Sequence, residues 1–305
     1  MKRTTDIPRL DKEVVLQAAN LTDAEARFLV ADYYQLQEMR KRTDMQIRHL
    51  GDRELPALLK YSADGAARIE DQIKRGLEIY AMNHPIGRWM MSIDGVGPVI
   101  SAGLIAYLGG PVEVIKEKGK PKLDADGKVE LKPVPTVGHW WRLAGLDPTS
   151  KWEKGKKRPW SANLKQICWH AGQCFKRISY NEDAFYGRIY QERKALVVMR
   201  NERGDYAERA QTFFVKDTAT AEVKKKLASG KLPDFNLDSQ ACRYAAKMFI
   251  AHLHAIWFWH HFGEPPPRPF AIAHLGHAHE LRVPNADMFP GFVEAYYPTA
   301  KRSAA

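Results

Sequence analysis

Ser92-Ile93-Asp94-Gly95-Val96-Gly97-Pro98-Val99-Ile100-Ser101-Ala102 is the stretch that decides how the chain is read. An apolar residue, a Gly-Val-Gly turn and an apolar, small-residue helix follow at the spacing of a helix-hairpin-helix. Glycine permits positive φ and removes side chains from the turn. The main-chain N–H groups of Gly95, Val96 and Gly97 can therefore approach an anion closely. The helix starting near Pro98 turns its partly positive end to the same place, and proline suits a first turn because its missing N–H would be unpaired there anyway. Such a hairpin would hold a phosphate backbone without reading bases. A plain tight turn between two core helices has the same sequence, and Gly-x-Gly before a helix is common, so the rest of the chain must arbitrate.

Length and charge narrow the choice. The 305 residues suffice for one large or two ordinary domains, and the formal net charge of +11 suits a polyanionic partner. The excess is localised. From Lys151 to Arg177 eight basic residues (Lys151, Lys154, Lys156, Lys157, Arg158, Lys165, Lys176, Arg177) face one acid, Glu153. Trp152, Trp160 and Trp169 lie in the same segment. Cations among aromatics can neutralise phosphates and stack on bases; a solvated loop with buried tryptophans is the alternative. The three cysteines, Cys168, Cys174 and Cys242, lack metal-type pairing. Their odd, low number and an N-terminus without a signal-peptide pattern imply a reducing cytoplasm. The most apolar helix, around Phe249 to Phe262, carries four histidines and reads as core rather than a membrane span.

The periodicities predict a mainly α fold: a long helical hairpin, a helix-hairpin-helix domain, a small β-hairpin insertion and an irregular C-terminal tail. The expected divisions are 1–82 for a polar arm and the helical hairpin, 83–262 for the second domain with its insertion at 111–135, and 263–305 for a Pro- and His-rich tail that wraps the surface. Thr22 and Glu25 form a capping-box pattern at the first long helix. A second helical pattern covers about 54–82. This hairpin could pair two copies of the chain or brace the next domain. Further helices are expected at about 161–178, 181–203, 219–229 and 238–262.

These segments, in this order, resemble the C-terminal half of the insertion-sequence one-ten family of transposases, whose relatives are RNA-guided recombinases. The resemblance rests on Ile93 to Gly109, on Ala144-Gly145-Leu146-Asp147-Pro148, on Ala162-Asn163-Leu164-Lys165 and on Ala241-Cys242-Arg243-Tyr244 to Trp259. It spans roughly 25–262, firmest over 91–109 and 141–172. It implies a DNA partner, with structured RNA as a further one, and a role in transposition or recombination of a mobile element or phage. Two departures go with it. The family's N-terminal nuclease-like domain with its metal-binding acids has no counterpart in the roughly 20 residues before the first helix. The family's nucleophilic serine stands before a glycine just after Ala-Gly-Leu-x-Pro, where this chain has Trp152-Glu153-Lys154-Gly155. Ser150 and Ser161 are the nearby hydroxyls that could replace it, and both also fit capping or loop roles.

The expected nucleic-acid-binding residues are thus Gly95, Val96, Gly97, Lys151, Lys154, Lys156, Lys157, Arg158, Trp160 and Lys165. Trp160 could stack on an unpaired base or belong to the core. His274, His277 and His279 form a dense imidazole cluster, with His252, His254, His260 and His261 upstream. Such a cluster could bind a transition metal, but cysteine partners and a His-Glu-x-x-His pattern are missing. No cofactor and no membrane partner are predicted. A non-catalytic oligomerisation protein is the reading from a different class.

Overall fold

Thr22 starts the first long helix as its sequence predicts. Its hydroxyl accepts from the Glu25 amide while the Glu25 carboxylate accepts from the Thr22 amide, so two orphan donors are satisfied reciprocally. The computed structural model describes residues 8–51, 57–267 and 281–297, and is mainly helical. Two compact units emerge from it. The first comprises the described residues up to Ser92 together with 96–135 and 260–263; the second comprises 93–95, 136–259 and the described residues from Glu264 onward.

In the first unit a short helix α1 (Lys12–Leu16) precedes α2 (Asp23–Leu50) and α3 (Ala57–Asn83), which pack side by side as a hairpin. An ion pair pins their register. Arg40 Nε and Nη2 reach the two Glu70 oxygens at 2.6 and 3.2 Å, and Gln37 adds a third hydrogen bond. Burial pushes the Glu70 carboxyl up, but its hydrogen bonds from Arg40 outweigh this and hold it below the ordinary value. Helix α4 (Pro85–Met91) leads through the Gly-Val-Gly turn into α5 (Pro98–Leu108). From Val99 to Leu108 every α5 residue except Tyr107 is buried. A helix apolar all round must sit inside, and α5 packs against both α2 and α3.

The insertion is the expected β excursion. Strand β1 (Val112–Val114) pairs antiparallel with β4 (Leu131–Pro133), and β2 (Lys116–Glu117) pairs with β3 (Lys120–Pro121) across a turn whose Lys118 and Gly119 both have positive φ.

The second unit is built on one long helix. Its elements are α6 (Val137–Leu143), α7 (Ala162–Arg177), α8 (Phe185–Arg203), α9 (Ala207–Gln211), α10 (Ala221–Ala228), α11 (Asp234–Phe262) and α12 (Phe292–Tyr296). Phe175, Tyr186 and Phe249 gather their rings at centroid distances of 4.8 to 5.5 Å, joining α7, α8 and α11. Gly172 makes the α7–α11 approach feasible, because a Cβ there would lie 2.7 Å from the Cys242 carbonyl oxygen.

Some boundaries differ from expectation. Helix α8 begins at Phe185 rather than near 181, because the Asn181 side chain accepts the Asp183 amide and turns the chain first. Helix α11 begins at Asp234, directly after Pro233. The described part of the tail, 281–297, holds a short 3-10 helix (Ala286–Met288) and α12, and it does more than wrap the surface: Val283, Phe289, Phe292 and Tyr296 are buried, and the Phe292 ring meets Trp259. Among the described residues no helix is long and apolar enough to cross a membrane.

His252 anchors this tail. Its Nδ1 meets the Tyr186 hydroxyl at 2.8 Å and its Nε2 meets the Leu281 carbonyl at 3.1 Å. The carbonyl can only accept, so the neutral ring carries its proton on Nε2 and accepts from Tyr186. Burial lowers the His252 pKa to about 4, from 6.5. The folded value lies below the unfolded one, so stability is complete above pH 6.5 and falls as pH drops toward 4. Between pH 7 and about pH 4.5, urea unfolding should show a loss of about 2–3 kcal/mol in the wild type that is absent from His252→Gln. Equal pH dependence of the two proteins would refute a buried neutral imidazole.

Candidate nucleic-acid interface

Of the two hairpin glycines only Gly95 takes the positive φ that glycine permits. Gly95 has φ +84°, a left-handed conformation that favours glycine, and a Cβ there would lie 2.8 Å from Ile178 Cδ1. Gly97 has φ −92° and ψ 175° and is the N-cap of α5. Nothing lies within 4 Å of where its Cβ would be. The Gly97 carbonyl accepts from Ser101, which starts the helix ladder. The Val99 and Ile100 amides have no acceptor among the described residues, as expected of a first turn. Gly97 therefore leaves open space in front of α5's free donors, while the buried Val96 side chain anchors the turn.

The predicted basic loop is exposed throughout Lys151–Pro159. The Trp152 indole N–H donates to the Lys156 carbonyl at 2.6 Å and folds the loop around Gly155. The Arg158 guanidinium lies 5.4 Å over the Trp152 ring. Lys156 pairs with Glu153 at 2.7 Å, both largely exposed, which contributes little. Lys151, Lys154 and Lys157 have no ion pair among the described residues. Half-buried Trp160 carries the Lys165 ammonium 4.3 Å over its ring, and Gly145 packs closely on its other atoms.

Lys165 belongs to a larger set. Helix α11 contributes Arg243 and Lys247, one turn apart, and α8 contributes Arg193. The Lys247 ammonium lies 4.2 Å over the Trp141 ring, whose N–H donates to the Lys247 carbonyl. The Arg193 guanidinium lies 4.7 Å over Tyr244, and its buried Nε has no hydrogen-bond partner among the described residues. Burial lowers the Lys165 pKa, and Arg243 and Arg158 lower it further. Burial likewise lowers Lys247, with Asp147 opposing and Arg243 and Arg193 reinforcing. Asp147 is itself engaged by the Thr149 amide and hydroxyl. Among the described residues none of Arg158, Lys165, Arg193, Arg243 and Lys247 forms an ion pair. Lys176 and Lys194 behave oppositely: both bind Asp238, which Tyr190 also contacts. Burial pushes the Asp238 carboxyl up, but hydrogen bonds from Lys176, Tyr190 and Lys194 outweigh it and hold the pKa at about 2.

Of the two hydroxyl candidates, the Ser161 side chain has a structural role and Ser150 is tied in through its backbone. Ser161 is the N-cap of α7 and accepts the Leu164 amide at 3.3 Å. Ser150 donates its amide to the Asp147 carbonyl. Neither hydroxyl is hydrogen-bonded to an imidazole or carboxylate among the described residues, so no catalytic role is assigned to them. His274, His277 and His279 lie outside the described residues. Among the described ones no three His, Cys, Asp or Glu side chains are grouped to hold a metal ion. His254 packs edge-on against Trp140 in the core, 4.9 Å between ring centroids. Burial pushes the Cys168 thiol up to about 12 and the Cys242 thiol up to about 11, which disfavours the reactive thiolate.

Comparison of the chain with protein-family models, with curated proteins and with solved structures finds no match in any of the three.

Of the residues singled out from the sequence, Arg158, Trp160 and Lys165 fall within this cluster, whereas Arg193, Arg243, Lys247, Trp141 and Tyr244 were not singled out. The four-residue step from Arg243 to Lys247 on a predicted helix was the available signal. Arg193 joins them only because α8 packs on α11.

The two hairpin glycines separate cleanly by substitution. Gly97→Asp should stay within about 0.5 kcal/mol of wild type in chemical denaturation, since aspartate is a favoured N-cap. Gly95→Ala should lose about 1–3 kcal/mol, because alanine resists positive φ. Equal effects at both positions would contradict this turn geometry.

Proposed function

We propose that the chain is a nucleic-acid-binding protein, with DNA as its expected partner. In this proposal it acts in DNA transposition or recombination of a mobile element or phage, in keeping with its resemblance to the C-terminal region of the insertion-sequence one-ten transposases. The observation that carries the reading is the set of five cations, Arg158, Lys165, Arg193, Arg243 and Lys247, which form no ion pair among the described residues and four of which lie over the rings of Trp152, Trp160, Tyr244 and Trp141. Arg158 and Arg243 are exposed while Lys165, Arg193 and Lys247 are partly buried, and partly burying like charges near one another is unfavourable. A polyanion would remove that cost. The open N-terminus of α5 and the unpaired loop lysines support the same partner chemistry.

Fluorescence anisotropy against duplex DNA, single-stranded DNA and structured RNA, across a salt series, tests this. Wild type should bind with an affinity that falls steeply as salt rises. Gly97→Asp should bind more weakly at every salt concentration while keeping its fold, because its carboxylate faces the incoming phosphate. No binding to any of the three polymers at low salt would sink the proposal.

One observation favours oligomerisation as a second reading. Phe28, Met45 and Leu58, on the α2–α3 hairpin, are 67%, 69% and 78% exposed, and exposed large apolar groups often mark interfaces. Sedimentation equilibrium should then report a concentration-dependent dimer that Phe28→Glu dissociates. A strict monomer would exclude it.

A further inference from the structure

We propose that the cation–aromatic stripe across α7, α8 and α11 holds an unpaired nucleic-acid strand, with Trp169 as an open stacking platform. The inference rests on the nucleic-acid-binding reading above and deepens it by naming the form of the polymer.

The stripe lies entirely within the second unit. Arg158 and Lys165 act on one another, Lys165 on Arg243, Arg243 on Lys247, and Lys247 on Arg193. The cations are thus successive neighbours drawn from the loop before α7 and from three helices, and several neighbouring cations suit the successive phosphates of a strand. Arg243 and Lys247 are four residues apart on α11, an axial rise of about 6 Å.

The aromatic residues choose between an unpaired strand and a duplex. Trp169 stands one helical turn beyond Lys165 on α7 and remains 56% exposed. Among the described residues its ring meets His170 edge-on, at 4.9 Å between centroids. Trp152 beside Arg158 is 41% exposed. Exposed indoles next to unpaired cations are what a strand with accessible bases requires: phosphates meet the cations and bases stack on the rings. A duplex already stacks its bases on one another and offers such rings no base faces. DNA and RNA strands share this chemistry.

The test compares oligothymidylate, oligouridylate and a DNA duplex of equal length, followed by anisotropy with the full chain. The single strands should bind more tightly than the duplex at equal salt, and the two arms report which sugar is preferred. Trp169→Ala should weaken single-strand binding roughly tenfold to hundredfold. It should leave duplex binding unchanged, and Trp169→Phe should recover most of the loss. Trp169 is exposed, so its variants should fold; circular dichroism checks this. Arg243→Gln with Lys247→Gln should reduce the single-strand salt slope by roughly 1.4. Duplex binding as tight as single-strand binding, with no effect of Trp169→Ala, would overturn the inference while leaving nucleic-acid binding intact. Absence of binding to every polymer would remove both.

Discussion

The second unit depends on the close approach of α7 to α11 at Gly172. With no Cβ at this position, α7 comes within contact of the Cys242 backbone. That crossing places Phe175 beside Phe249 and Tyr186 and closes an aromatic core between three helices. The same crossing determines what the outer surface carries. With the two helices in contact, Lys165 of α7 falls beside Arg243 of α11, and α8 brings Arg193 to Lys247. Packing inside therefore creates charge repulsion outside.

That repulsion is uneven, and the unevenness is informative. Asp238 collects Lys176, Lys194 and Tyr190 into a compensated network. Lys165, Arg193, Arg243 and Lys247 form no ion pair among the described residues; aromatic rings face Lys165, Arg193 and Lys247, and Asp147 acts on Lys247 without bonding it. Cation–π contacts contribute about 0.5–1 kcal/mol at exposed sites and about 2 kcal/mol where desolvated, so the aromatic rings offset part of the cost of keeping Lys165, Arg193 and Lys247 near one another.

In the first unit a different constraint operates. Helix α5 is apolar on nearly every side and needs neighbours all round, which α2 and α3 supply. The polar registration of that hairpin, by Arg40 on Glu70 and by Tyr80 on Asp23, places the long helices so that α5 is covered. The N-terminal end of α5 stays open because Gly97 has no side chain to close it.

Local features were legible in the sequence because their causes are local. The Thr22–Glu25 capping box, the Ser161 cap, the Gly95–Gly97 turn, the helical periodicities and the β excursion each arise within a few residues, and each is present. So is the exposed, lysine-rich loop after Pro148. Long-range features were not legible. Nothing in the spacing of Arg193 and Arg243, 50 positions apart, says that they flank one Lys247. Nor could His252 be told from a metal-ligating histidine until Tyr186 and Leu281 closed on its two nitrogens. The sequence by itself determined which long segments are helical, the caps at Thr22 and Ser161, and that positive charge is concentrated after the hairpin. Tertiary structure alone decided which cations are neutralised and which are left facing one another, because charge pairing depends on distances that only helix packing sets.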